Sequence, residues 1–141
     1  MNLNKKSGFT LLEIIIVIII VGVLASLALP RFFSTVEFSR STEALTSMTA
    51  LRQSLERCYL ANAGSYTGTT PCLITNLDLE DPGTSPGNHF TYTISGQSAT
   101  GYTVLATRNT RDGGSATGKI TLTQTSTGVT RTGEGAFVGI K

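Results

Sequence analysis

The chain has 141 residues and a formal charge of +2, and once a long apolar stretch near its start is set aside, the remainder suffices for one small domain and not two. Lys5 and Lys6 account for that charge: the other nine of the 11 Lys and Arg residues are matched by nine Asp and Glu, so global charge draws no acidic partner. One histidine and no phosphate-binding loop leave no catalytic set, and neither an enzyme activity nor a cofactor is expected.

Lys5 and Lys6 are followed by Ser7, Gly8, Phe9, Thr10, Leu11, Leu12 and Glu13, after which the chain is almost pure Ile, Val and Leu. The run from Phe9 to Leu29 carries a single charge, and a helix over it is about 31 Å long at about 1.5 Å per residue, enough to cross a bilayer's hydrocarbon core. It is longer than a signal-peptide core and no small-residue cleavage site follows it; the small residue, Gly8, precedes it. Lys5 and Lys6 put the start of a single-pass protein in the cytoplasm and the bulk of the chain beyond the inner membrane. Glu13 is the residue that needs a reason, since a carboxylate in such a segment costs about 2.5 to 3.5 kcal/mol on insertion scales.

The string Lys-Lys-Ser-Gly-Phe-Thr-Leu-Leu-Glu before an Ile/Val/Leu run, with Gly22 and Pro30 within reach, resembles the class III leader and helix of type IV pilins and their relatives, the type II secretion pseudopilins and competence pilins. The resemblance implies that 1–8 is a leader, that a membrane-embedded prepilin peptidase cuts between Gly8 and Phe9, and that it methylates the Phe9 amine. It also implies that Glu13 offsets the Phe9 amine of a neighbouring subunit during filament assembly, and a carboxylate buried against an opposite charge is tolerable where a lone one is not. Gly22 and Pro30 weaken the transmembrane and filament-core helix 9–30. Proline inside a helix costs about 3 kcal/mol, so a kink or loosened turn is expected between the two. In the resembled family this same segment is thought to lose helicity in the assembled filament.

The helix continues as an amphipathic stretch over 31–63. Leu45, Met48, Leu51, Leu55, Cys58 and Tyr59 recur at helical spacing as a core-facing stripe, with Glu37, Arg40, Glu43, Arg52, Glu56 and Arg57 off it. Phe32, Phe33 and Phe38 suit packing between neighbouring helices. Gly64 ends the helix. The segment 64–88 reads as a connecting loop, interrupted by Pro71, Pro82 and Pro86. Within it, Cys72 is expected to pair with Cys58, closing about 15 residues for about 3 kcal/mol; a metal needs more ligands than these cysteines and the distant His89 supply, so no metal site is expected. Asp78, Glu80 and Asp81 read as a solvated loop before a calcium site.

From 89 to 141 the pattern is of strands, at 89–95, 102–108, 119–124 and 129–132. Phe90, Tyr92 and Ile94 alternate with threonines, as do Ile120 and Leu122, while Leu105 breaks the alternation. Turn residues between the strands favour consecutive antiparallel pairing. The predicted class is α+β: a long N-terminal helix, apolar in its first half, packed by its second half on a small antiparallel sheet, as in the pilin fold. His89 reads as a strand-edge residue. Arg108, Arg111, Lys119, Arg131 and Lys141 make one end of the sheet locally basic, but scattered charges without interleaved aromatics argue against nucleic acid as a direct partner.

The expected function is structural: a major or major-like subunit of a type IV pilus, a homopolymer built by inner-membrane assembly machinery, held in the inner membrane as precursor and then extracellular, serving adhesion, twitching motility or DNA uptake. The alternatives are a type II secretion pseudopilin and a minor or competence pilin that binds DNA. The paired cysteines and the lack of an acidic C-terminal calcium loop, for which Asp112 and Glu134 do not suffice, weigh against the pseudopilin.

Overall fold

A computed structural model describes residues 8–141; 1–7, which hold Lys5, Lys6 and all of the expected leader but Gly8, lie outside the described residues. One helix, α1 (Leu11–Ala61), is followed by four strands, β1 (Phe90–Ser95), β2 (Tyr102–Arg108), β3 (Lys119–Thr125) and β4 (Gly128–Glu134). The chain divides after Thr35 into two units.

In the first unit every described residue is exposed. The apolar side chains from Phe9 to Leu29 stand between 40% and 78% open, with no face of the helix covered. Pro30 lies inside α1, and the helical assignment runs unbroken through Gly22 and Pro30. Losing one backbone hydrogen bond at Pro30 therefore does not end the helix in the single chain, where neighbouring turns keep theirs.

In the second unit the helix buries Ser41, Ala44, Met48, Leu51, Ser54 and Leu55. The three- and four-residue spacing puts them on one face. The stripe starts a turn earlier than the apolar pattern indicates, because Ser41 and Ala44 are small and let the sheet approach. Leu45, Cys58 and Tyr59 are only partly buried at its margin.

The strands pair consecutively and antiparallel in the order β1-β2-β3-β4. Tyr92 stands opposite Ala106, and Ala106 and Val104 stand opposite Ile120 and Leu122. These side chains, with Phe90, meet the helix stripe in one core. Each large side chain so buried contributes about 1.5 to 3 kcal/mol. Period two sends the alternate residues outward, and there Thr93, Leu105, Thr121 and Thr132 form one cross-strand row and Ser95, Thr103, Thr123 and Thr130 the next. Threonine favours strands through its branched Cβ while keeping a hydroxyl for water. Leu105, read from the sequence as an irregularity, sits in the middle of this outer face.

The helix ends in a Schellman motif: the Gly64 amide donates to the Tyr59 carbonyl at 3.0 Å, and the left-handed residue is Ala63, at φ 53°, with Gly64 following at φ 84°. The 64–88 segment is not wholly irregular, since Ile74–Asn76 and Pro82–Thr84 are 3₁₀ turns. After β4 another turn, Gly135–Phe137, buries Phe137, whose ring lies 5.5 Å from that of Phe90.

Candidate functional site

The first unit carries the residues expected to act in processing and assembly. Thr10 is the N-cap of α1: its hydroxyl accepts from the Glu13 amide at 3.2 Å, and the Glu13 carboxylate reaches back to accept from the Thr10 amide at 3.5 Å. This is a capping box, which satisfies two of the amide donors a helix start leaves unpaired. The Thr10-x-x-Glu13 spacing announced it, and sequence reasoning missed it by assigning Glu13 only to a neighbouring chain. The box leaves the other carboxylate oxygen, Oε1, free of any hydrogen bond among the described residues. Phe9, immediately before the cap, is 77% exposed. At Gly22 a Cβ would meet nothing within 4 Å. Packing inside one chain thus gives no reason for glycine there, and its cost of about 1 kcal/mol against alanine is uncompensated within the monomer.

The second unit is clamped by charges. Arg108, read from the sequence as part of a basic surface, has a side chain only 1% exposed. Alternation from Tyr102 through Val104 and Ala106 carries it to the inner face of β2. Its guanidinium grips Glu37 of α1 with two hydrogen bonds, Nε to Oε2 at 3.0 Å and Nη2 to Oε1 at 2.9 Å, and Nη1 donates to the Asn109 carbonyl and side chain. A buried cation is sustained this way because each of its three nitrogens has a partner.

His89 is beside this pair, not at a free edge. Its Nδ1 is 2.8 Å from Glu43 Oε2 and its Nε2 is 2.8 Å from Asp112 Oδ2. Arg40 Nη1 also stands 2.7 Å from Nε2. A ring with protons on both nitrogens satisfies both carboxylates, whereas a neutral ring can accept from Arg40. The hydrogen bond from His89 is the main reason the Asp112 carboxyl titrates below the usual carboxylate range. Arg40, Glu43, His89 and Asp112 thereby tie α1 to the residue just before β1 and to the Arg111–Gly113 turn.

Cys58 and Cys72 form a disulfide, with Cα atoms 5.9 Å apart. Asp78 of the same loop is grasped by Arg57, Nε at 2.5 Å and Nη2 at 2.9 Å, and accepts from Ser54. Arg57 first, and Ser54 after it, hold the Asp78 carboxyl down at about 2. Asp78 and Asp81 are thus engaged separately, Asp81 capping the Pro82–Thr84 turn, and no cluster of metal-ligating side chains forms among the described residues.

Two sequence strings invite a catalytic reading. Gly83-Thr84-Ser85-Pro86-Gly87 has Gly-x-Ser-x-Gly spacing, but it begins inside the Pro82–Thr84 3₁₀ turn and precedes β1, with no strand before it and no helix after it, and no hydrogen bond links Ser85 to His89. Gly113 to Lys119 has phosphate-loop spacing without the terminal Ser or Thr and leads into a strand, not a helix. The remaining basic residues do not make one patch. Lys119 faces outward opposite Glu134, whereas Arg131 is on the inner side opposite Leu122.

Comparison with known proteins places these features. Residues 3–29 match the model of the prokaryotic N-terminal methylation motif, and residues 30–123 match the model of the type IV minor pilin ComP, DNA uptake sequence receptor. The type II secretion system core protein G of Escherichia coli is 42% identical over 59 residues, covering 42% of this chain and 41% of the relative. A fimbrial protein of Pseudomonas aeruginosa is 30% identical over 69 residues, covering 49% and 45%, and a probable minor fimbrial protein of Dichelobacter nodosus is 43% identical over 56 residues, covering 40% and 35%. The chain thus spans less than half the length of these relatives. The motif and the single apolar helix fit a membrane-anchored precursor of a pilus or pseudopilus. Where the sequence pointed to a major or major-like subunit, the matched model is that of a minor one. With the long helix, the four-stranded sheet and both matches in hand, the chain belongs to the type IV pilin family, in the group of the minor pilin ComP.

Proposed function

We propose that the protein is a non-enzymatic structural subunit of a type IV pilus, cut between Gly8 and Phe9, methylated on Phe9, and drawn from the inner membrane into an extracellular filament. The observation that carries this is the first unit: an apolar helix open on every side in one chain, with a single carboxylate at its start. Exposed apolar surface on this scale is covered either by lipid or by copies of itself. Glu13, one oxygen of which accepts from the Thr10 amide, would keep the other oxygen for a neighbour's amine. The test is the mass of the mature chain together with filament yield: a terminus at methylated Phe9, and filaments lost in Glu13→Val with the protein still in the membrane, are expected. A chain retaining Met1, or normal filaments from Glu13→Val, would refute the proposal.

The family match favours a second reading, in which this minor subunit contacts DNA. Arg111, Lys119, Arg131 and Lys141 have no carboxylate within ion-pair distance among the described residues and are available for phosphate. Neutralising them should weaken salt-dependent retention of the detergent-solubilised chain on duplex DNA. Retention that is absent at low salt would eliminate this reading.

A further inference from the structure

His89 is the one histidine in the sequence, and histidine is the side chain whose charge ordinarily changes between about pH 5 and about pH 8. Its side chain is only 12% exposed. Glu43 holds the residue twice: Oε1 accepts from the His89 amide at 2.8 Å, and Oε2 lies 2.8 Å from the ring Nδ1. Nδ1 is therefore the nitrogen that keeps its proton in either charge state. Nε2 is contested. Asp112 Oδ2 stands 2.8 Å from it and Arg40 Nη1 2.7 Å. The carboxylate needs an N–H at that nitrogen, whereas the guanidinium, which only donates, needs a lone pair. One nitrogen cannot serve both. A charged ring bonds Asp112 and turns Arg40 aside; a neutral ring bonds Arg40 and sets its lone-pair side beside a carboxylate oxygen.

The charges around the ring fit the first arrangement. Glu37, Arg40 and Glu43 come from α1, Arg108 from the end of β2, and Asp112 from the Arg111–Gly113 turn. Arg111, next to Asp112, is exposed and in no ion pair among the described residues. Three carboxylates thus meet two guanidiniums in the contacting set, and a proton on His89 balances it. The turn depends on that balance. Asp112 is left-handed at φ 53°, a conformation that costs a residue with a Cβ energy. Gly113 follows at φ 76°, and nothing lies within 4 Å of the place a Cβ would take, so the turn has room to move. We propose that His89 is a proton-operated latch: charged, it bridges Glu43 and Asp112 and holds the 109–118 connection to α1. When Nε2 gives its proton to water, Arg40 takes the nitrogen, Asp112 keeps only the 3.4 Å contact from Arg40 Nη2, and the connection loosens, with it the Arg111 cation. The latch closes over a window, since at the acid end Asp112 must be ionised, and the hydrogen bond from His89 is what chiefly lowers its carboxyl. It lies within the second unit and does not depend on whether the chain polymerises.

The test is hydrogen exchange read by mass spectrometry on the detergent-solubilised full chain, with the intrinsic pH dependence of exchange divided out. In the 109–118 connection the Asn109 amide donates to the His89 carbonyl and the Gly114 amide to the Arg111 carbonyl. Peptides covering it should lose protection about tenfold between about pH 5.5 and about pH 8, while those of β3 keep theirs. Asp112→Asn, at a side chain 57% exposed, should leave the fold intact and remove the step, because an amide accepts from the charged ring and donates to the neutral one. His89→Gln, uncharged throughout, should show no step either. Arg40→Gln should move the step to higher pH, since one less cation beside the ring favours its proton. Equal protection at the two pH values in the unaltered chain, a step that persists in either Asp112→Asn or His89→Gln, or a step that moves to lower pH in Arg40→Gln would overturn the proposal.

Discussion

Arg108 and Glu37, 71 residues apart in sequence, meet through two parallel hydrogen bonds that fasten the last residue of β2 to the helix just beyond the apolar unit. Truncating one partner strands the other. Glu37→Ala is expected to cost about 3 kcal/mol, read as a lowered urea midpoint, because the Arg108 charge stays buried. Replacing both, as Glu37→Leu with Arg108→Met, should restore most of the loss, since two apolar groups need no partners. A double variant as unstable as the single one would show that the loss does not come from an unpaired charge.

Acid should loosen the loop before it unfolds the core. Asp78 is held down at about 2 by Arg57 and Ser54, and Asp112 is lowered by His89. A depressed carboxyl adds stability above its unfolded value, about 4, and that stability is lost as pH falls toward the folded value. The expected signature is a melting temperature that falls between about pH 4 and about pH 2, with a shallower fall in Asp78→Asn. Both groups are at the surface, so added salt should blunt the effect. At the alkaline end the sign reverses: Tyr102, raised to about 12 by burial, stabilises fully below about pH 10 and ceases to do so as it ionises, which phenolate absorbance can follow.

The Cys58–Cys72 bond closes a loop of sequence separation 14. Replacing both cysteines with serine should remove about 3 kcal/mol through the entropy of the opened chain. Amide exchange should rise first around Tyr66 and Cys72, whose backbone bond joins the loop to itself, with the sheet amides of β2 and β3 least affected.

Thr10→Val removes the hydroxyl that caps the Glu13 amide and should cost the helix start about 1 kcal/mol, with Thr10→Ser close to neutral. If the box also sets the direction of the Glu13 carboxylate, Thr10→Val should lower filament yield at unchanged membrane level. Equal yields for Val and Ser would confine Thr10 to local helix stability.

Ala63 holds a left-handed conformation at φ 53°. Glycine has no penalty there, so Ala63→Gly should raise stability by about 1 kcal/mol in thermal unfolding. A loss would mean that the Cβ makes packing contacts worth more than the strain.

Helix, strand order and disulfide were legible because each rests on a local rule: a run long enough for a bilayer, a period of two, and a thiol on either side of one turn. Arg108 was legible in principle and misread. Counting by twos from Tyr102 puts it inside, but its charge suggested the surface, and only Glu37 across the sequence reconciles the two. Ser41 and Ala44 left no trace because small residues at a close helix–sheet approach have no apolar signature. Phe137 follows a weak strand and gave no period to read.

The threonine rows on the outer sheet face have a bearing on how such a molecule remains usable. A subunit that polymerises through apolar surface, as proposed, would risk joining at the wrong place, and an open antiparallel sheet with valines and isoleucines outside would offer a rival adhesive. Here the strands take their propensity from β-branching and their outward chemistry from hydroxyls, leaving Leu105 as the one large apolar side chain in the cross-strand rows. On the proposed function, this chemistry would confine self-association to the apolar first unit and let the sheet domain crowd beside its copies without adhering to them.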